Sequence, residues 1–105
     1  MQADVVLIAL ADVSRDARTL NLGRALAHAG LKVAIVASAP VDWSDPAFKL
    51  LRWPDPGGSA LRRWRHLLQF VRQSNITGRV IGAMDFFAVH AARHVARRTR
   101  ANIIY

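Results

Sequence analysis

Short apolar blocks alternate with amphipathic segments of helix length along the whole chain of 105 residues. The first block, residues 4–10, reads Asp-Val-Val-Leu-Ile-Ala-Leu. Such a run is typical of a strand that is covered on both faces of a parallel sheet. A helical period follows and ends at Gly30, with Leu20, Leu22, Ala25, Leu26 and Ala29 on one face. A second strand block at 31–38 then completes one βαβ unit.

The same alternation continues beyond this unit. We predict a loop at 39–46, a short peripheral strand at 48–53, a surface loop at 54–58, a basic amphipathic helix at 59–74, a strand at 79–84, a helix at 85–99 and a strand at 101–105. This order favours one Rossmann-like α/β domain over residues 1–105, with three α/β/α layers and a parallel sheet of strand order 3-2-1-4-5. Because the last block is an apolar strand, we expect the domain to be incomplete.

Charge narrows the range of partners. Fifteen basic residues face seven aspartates and no glutamate, so the net charge is +8. This excess attracts phosphorylated substrates, anionic lipid or nucleic acid without choosing among them. No apolar block approaches the ~20 residues of a membrane span, and the first residues do not resemble a secretory signal. With no cysteine for disulfides, we expect a cytoplasmic protein.

The candidate site lies where the strand order reverses, because ligands of open α/β sheets bind outside the carboxyl ends of the strands at that point. The predicted topology brings the segment after strand one beside Met84, Asp85 and Phe86 after strand four. We predict substrate-binding residues at Ser14, Arg15, Asp16, Arg18 and Asp85. A helix start and two arginines suit a phosphate or a carboxylate.

A structural interpretation of the same residues stays open. Either Ser14 or Asp16 can cap the helix start, while Arg15 and Arg18 pair with Asp12 and Asp16 on the surface. The GxGxxG dinucleotide fingerprint is absent, since no glycine lies between residues 1 and 18. We expect no cofactor, and we expect no metal site because the pair His90/His94 has no third ligand.

The basic helix at 59–74 allows two interpretations. Arg62, Arg63 and Arg65 could contact an anionic membrane surface. Alternatively, Trp64 faces the sheet and the arginines are simply solvated. Nucleic-acid binding is not favoured, because neither a helix-turn-helix nor an aromatic platform is recognisable.

Two segments resemble glycosyltransferases of family 4 with the GT-B fold. The first is Asp12-Val13-Ser14-Arg15-Asp16-Ala17-Arg18, with Ala25-Leu26, Gly30 and Val33 after it. The second is Asp85, set after strand four and followed by an Ala-rich helix and Ile103-Ile104-Tyr105. The resemblance extends over nearly the whole chain in order and spacing.

The resemblance implies the acceptor-side amino-terminal portion of an enzyme that moves a sugar from a nucleotide-sugar to a glycan or lipid-linked acceptor at the inner membrane face. The family's donor site, with its paired glutamates, would lie beyond residue 105, so the chain alone should not transfer sugar. Many members carry histidines before the aspartate after strand four, where this chain has Gly82 and Met84, and we therefore name no catalytic residue. The alternative is a small flavodoxin-like or receiver-like binding module without catalysis. Asp12 stands alone among arginines, which counts against the receiver version.

Overall fold

The computed structural model describes residues 2–85 and 88–104. Four residues lie outside the described residues: Met1, Phe86, Phe87 and Tyr105. Phe86 belongs to the predicted site, and Tyr105 belongs to the predicted last strand. The elements in chain order are β1 (Gln2–Asp12), a 3₁₀ turn (Val13–Arg15), α1 (Ala17–His28), β2 (Val33–Ser38), β3 (Lys49–Arg52), α2 (Ala60–Gln73), β4 (Thr77–Ala83), α3 (Val89–Thr99) and β5 (Asn102–Ile104).

The sheet confirms the predicted fold class and strand order. All four strand pairs are parallel, and the order is β3-β2-β1-β4-β5. Leu7 in the middle of β1 is aligned with Ile35 of β2 on one side and with Gly82 of β4 on the other. The switch point therefore lies between β1 and β4, as the sequence predicts.

Two apolar cores lie on opposite faces of the sheet, because successive strand side chains point to opposite sides. Val5, Leu7 and Ala9 of β1 belong to the core on the α1 face. Val6, Ile8 and Leu10 belong to the core beneath α2 and α3. This double burial explains why the β1 sequence is an apolar run rather than an alternating one.

Local signals predicted α1 better than α3. Asp16 caps α1, and Gly30 has a φ of 93°, which is the left-handed conformation expected of a glycine that follows a helix. The helix predicted from residue 85 instead begins at Val89. Asp85 precedes it, and the backbone oxygen and Oδ1 of Asp85 both accept from the Ala88 N–H.

Trp64 departs from the predicted pattern. It is half-buried and meets His90 of α3 edge-on, with ring centroids 5.5 Å apart, rather than lying in the core. Leu67 and Val71 take the sheet-facing positions of α2, and Trp53 at the end of β3 is 1% exposed in the same core. The apolar stripe of α2 is thus shared between the sheet and α3.

Candidate functional site

The carboxyl ends of β1 and β4 meet as the topology predicts. Ile8 of β1 is aligned with Ala83, the last residue of β4. The Met84 N–H donates to the Ile8 carbonyl at 2.9 Å, so the segment after β4 stays against β1. Candidate residues that are far apart in the sequence therefore share one edge of the sheet.

Asp85 joins the two strand ends. Its Oδ2 accepts from the Leu10 N–H at 2.7 Å, and its Oδ1 accepts from the Ala88 N–H at 2.9 Å. Each carboxylate oxygen thus receives one backbone hydrogen bond, a charge-assisted type that is stronger than a neutral one. The carboxylate therefore holds Leu10 of β1 and Ala88, which directly precedes α3, in a fixed arrangement.

The acidic residues after β1 are used locally. Asp12 Oδ1 accepts from the Ser14 N–H at 2.9 Å and from Ser14 Oγ at 2.6 Å. Asp16 Oδ1 accepts from the Thr19 N–H at 3.2 Å, and Asp16 Oδ2 accepts from the buried Thr19 Oγ1 at 2.6 Å. The capping interpretation of Asp16 is confirmed.

The two arginines do not form the predicted pairs. Both are exposed. Arg18 reaches across to the residue that follows β4, where its Nη2 donates to the Met84 carbonyl. Arg15 has no hydrogen bond to any of the described residues. Neither arginine forms an ion pair with Asp12 or Asp16 in this part of the chain, so both retain donors that a ligand could use.

The sequence did not reveal an apolar groove beside α1, which we call the α1 groove. Its volume is about 630 Å³, and it is lined by Val5, Leu7, Arg18, Leu22, Leu26, Leu31, Val80, Gly82, Ala83, Met84 and Ile104. Strand residues from β1, β4 and β5 form its floor, and α1 forms its wall. Arg18 is the one charged residue among the described residues that line it, and it lies near the carboxyl ends of the strands.

Glycine shapes the floor of the α1 groove. A Cβ added at Gly82 would lie 2.8 Å from Leu7 Cδ2, which is closer than such atoms approach. The Leu7 side chain therefore occupies the space over Gly82. Alternating apolar residues in strand four were the available sequence signal, but they do not indicate which helix covers that strand.

The arginines of the predicted membrane patch have different environments. Arg62 and Arg65 are exposed, whereas Arg63 Nη2 lies 2.8 Å from Asp55 Oδ2 and also donates to the Leu10 carbonyl at 3.3 Å. Burial alone would raise the pKa of Asp55, but hydrogen bonds from Arg63 and the Gly57 N–H hold it below the ordinary 3.8. Arg63 thus ties α2 to the end of β1.

Within 2–85 and 88–104, no group of three or more histidine, cysteine, aspartate or glutamate side chains is arranged to hold a metal ion. In the same residues, no helix has the length and apolar character needed to cross a bilayer.

Fold and site together define a small Rossmann-like α/β domain with a ligand-accessible edge at the switch point and an apolar groove that leads to it. Comparison of the sequence with protein-family models gives no match, and comparison with curated proteins gives none either.

Proposed function

We propose that the chain is the acceptor-side portion of a nucleotide-sugar-dependent glycosyltransferase, acting in the cytoplasm at the inner membrane face. Its acceptor is a lipid-linked molecule whose apolar chain lies in the α1 groove and whose anionic group lies at Arg18. The observation that carries this proposal is the groove itself, which is apolar along the sheet and cationic at the edge where α/β sheets bind ligands.

The form of the groove suits an amphiphile better than a nucleotide. Apolar surface contributes roughly 25 cal/mol per Å² when it leaves water, so an alkyl or prenyl chain gains by covering Leu22, Val80 and Ile104. A single arginine then fixes the orientation of the ligand, as the few polar groups of ligand pockets generally do. The first turn also lacks the glycines that let a backbone approach a pyrophosphate.

The residues at this edge have distinct roles in the proposal. Arg18 contacts the anionic group, and the exposed Arg15 adds a second positive charge beside it. Asp16 and Asp85 position the helix start and the strand ends through their backbone hydrogen bonds. No residue is assigned a catalytic role, and no cofactor takes part.

Calorimetric titration of the chain with farnesyl phosphate and with farnesol tests the acceptor site. We expect farnesyl phosphate to bind more tightly, and Arg18→Ala to weaken its binding about tenfold, to the level of farnesol. Arg79→Ala, which removes an exposed arginine of β4 outside the groove, is the matched control and should leave binding unchanged. Equal affinity for the phosphate and the alcohol would contradict the proposed role of Arg18.

Sugar transfer needs a separate test on the full-length gene product. Incubation with a panel of nucleotide-sugars and a prenyl-phosphate acceptor should yield a glycosylated lipid. Binding of the amphiphile without binding or hydrolysis of any nucleotide-sugar would leave the alternative, a flavodoxin-like binding module. The compact fold, with a Cα radius of gyration of 12.4 Å, is compatible with either function.

A further inference from the structure

A second groove, which we call the α2–α3 groove, lies on the other face of the molecule. Its volume is about 340 Å³, and it is lined by Leu68 and Arg72 of α2 and by His90, Arg93, His94 and Arg97 of α3. Five of these six residues carry basic side chains. The lining of the α2–α3 groove is therefore mainly basic, whereas the lining of the α1 groove is mainly apolar.

The spacing of the basic residues along α3 produces a continuous strip. His90, Arg93, His94 and Arg97 stand at positions i, i+3, i+4 and i+7, which fall on one face of a helix. Seven residues of helix extend about 10.5 Å, so the strip is longer than a single phosphate group. Arg72 faces this strip from α2 and makes the groove cationic on both sides.

Little negative charge balances this groove. Neither α2 nor α3 contains an aspartate or a glutamate. Arg98 is used in the structure, because it donates to the carbonyls of Val71, Ser74 and Ile76 at the end of α2. In the described part of the chain, neither Arg72 nor Arg97 forms an ion pair.

The pKa of His94 is affected by this positive charge. Burial lowers its pKa below 6.5, and the charges of Arg98, Arg72 and Arg97 lower it further. Like charges held together raise the free energy of the folded chain, and a bound anion relieves that repulsion. The groove is thus arranged to gain from an anionic ligand.

We propose that the α2–α3 groove binds a soluble anion with two or more adjacent phosphate groups. The concave shape and the length of the strip favour such a ligand over a flat bilayer. Leu67 and Val71 of α2 are fully buried in the core, and Leu61 in its first turn is the large apolar side chain of this helix that is exposed, so α2 does not present the continuous apolar face that inserts into lipid. This proposal is independent of the acceptor site beside α1.

Titration of the chain with tripolyphosphate, pyrophosphate and inorganic phosphate tests the proposal. We expect saturable 1:1 binding whose affinity rises with the number of phosphate groups and falls with salt. Arg97→Gln and Arg72→Gln should each weaken tripolyphosphate binding about tenfold, the usual effect of losing one charge-assisted hydrogen bond. Arg65→Gln, which removes an exposed arginine of α2 outside the groove, is the matched control and should change the affinity less than twofold.

Two readouts separate a site from general charge attraction. In NMR titrations, the imidazole signals of His90 and His94 should shift with the same affinity as the calorimetric signal, while those of the exposed His28 of α1 should not. An equal loss of affinity in the Arg65 and Arg97 variants would overturn the proposal, because net charge would then explain the binding. Binding only to phosphatidylglycerol vesicles, or only to duplex DNA, without competition by tripolyphosphate would also overturn it.

Discussion

At the scale of single residues, Asp85 links distant parts of the chain at the candidate site through its hydrogen bonds. Its carboxylate accepts from two backbone N–H groups that lie on different elements. We predict that Asp85→Ala lowers the free energy of unfolding by about 2 kcal/mol, because two hydrogen bonds to a charged group are lost and the Leu10 N–H stays unpaired, whereas the Ala88 N–H keeps the Asp85 carbonyl as its acceptor. Urea denaturation measures this loss.

Asp42→Ala is the matched control for Asp85. Asp42 is an exposed aspartate in the loop between β2 and β3, and its removal should change the unfolding free energy by less than about 0.5 kcal/mol. If Asp85→Ala proved as stable as Asp42→Ala while farnesyl phosphate binding was lost, Asp85 would be a ligand contact rather than a structural residue.

The lowered pKa of His94 predicts that the free energy of unfolding depends on pH. Its pKa in the folded state is lowered by burial and by Arg98, Arg72 and Arg97, whereas an unfolded histidine keeps a value of 6.5. Above that pH both states are neutral and the residue has no effect. As the pH falls below it, the unfolded state binds the proton first, so stability decreases toward the lowered pKa.

Replacement of the histidine tests this pH effect. Between pH values of about 7.5 and 5.5, His94→Gln should lose less stability in urea denaturation than the wild-type chain. His28→Gln, at an exposed position of α1, removes a histidine elsewhere and should retain most of the wild-type loss. Identical pH profiles for His94→Gln and the wild type would contradict the prediction.

The residue scale also shows where sequence reasoning works. The sequence predicts Ser14 or Asp16 as the cap of α1, and Asp16 is the cap; its partner Thr19 is only three residues away, because capping is a local pattern. The partner of Asp85, by contrast, is Leu10, which lies 75 residues away. The hydrogen bond between them depends on the register of the sheet, which cannot be read from the sequence.

At the scale of elements, α1 approaches the sheet closely at Gly23. This glycine is buried, and a Cβ added there would lie 2.9 Å from Ile35 Cδ1 and 3.3 Å from Phe48. We predict that Gly23→Leu lowers the free energy of unfolding by about 2 kcal/mol, because overpacking outweighs the better helix propensity of leucine. Thermal and urea denaturation both measure the loss.

Ala25 provides the control on the same helix. It is exposed, so Ala25→Leu should change the unfolding free energy by less than about 0.5 kcal/mol. A Gly23→Leu variant with unchanged stability would mean that α1 can shift away from β2. The α1 groove would then be adjustable, and its affinity for a prenyl chain should change in that variant.

Elements also mark the limit of the helical patterns. The apolar stripe of α2 was enough to predict the helix. It did not show that Trp64 contacts α3 whereas Leu67 and Val71 pack in the core against the sheet. In the same way, the patterns of α1 and β4 did not predict the α1 groove. Periodicity identifies the apolar face of an element, whereas the contact that covers the face depends on how the elements pack.

At the scale of the whole molecule, topology was predictable because few arrangements obey right-handed crossovers and a buried parallel sheet. The basic character of α2 was predictable as well, but the charges that lie close together in space were not, since they depend on which loops and helices come together. The aspartates of the described chain lie in β1, at a helix cap or in loops, and none lies within α2 or α3. Arg62 and Arg65 therefore lie on a face with little compensating charge.

This asymmetry predicts that equal reductions of charge have unequal effects. Arg62→Gln with Arg65→Gln, and Lys32→Gln with Lys49→Gln, each remove two charges, which takes the net charge from +8 to +6. Lys32 lies next to Asp4, whose Oδ2 accepts from the Lys32 N–H, so part of its charge is compensated. We expect the arginine pair of substitutions to raise the unfolding temperature more than the lysine pair at about 0.02 M salt. The difference should shrink at about 0.3 M, where screening shortens the range of repulsion.

Two outcomes would contradict this prediction. Equal shifts of the unfolding temperature for the two double variants would mean that repulsion is spread over the whole surface. A lower unfolding temperature for the arginine variant would mean that those side chains stabilise α2 through their apolar stems.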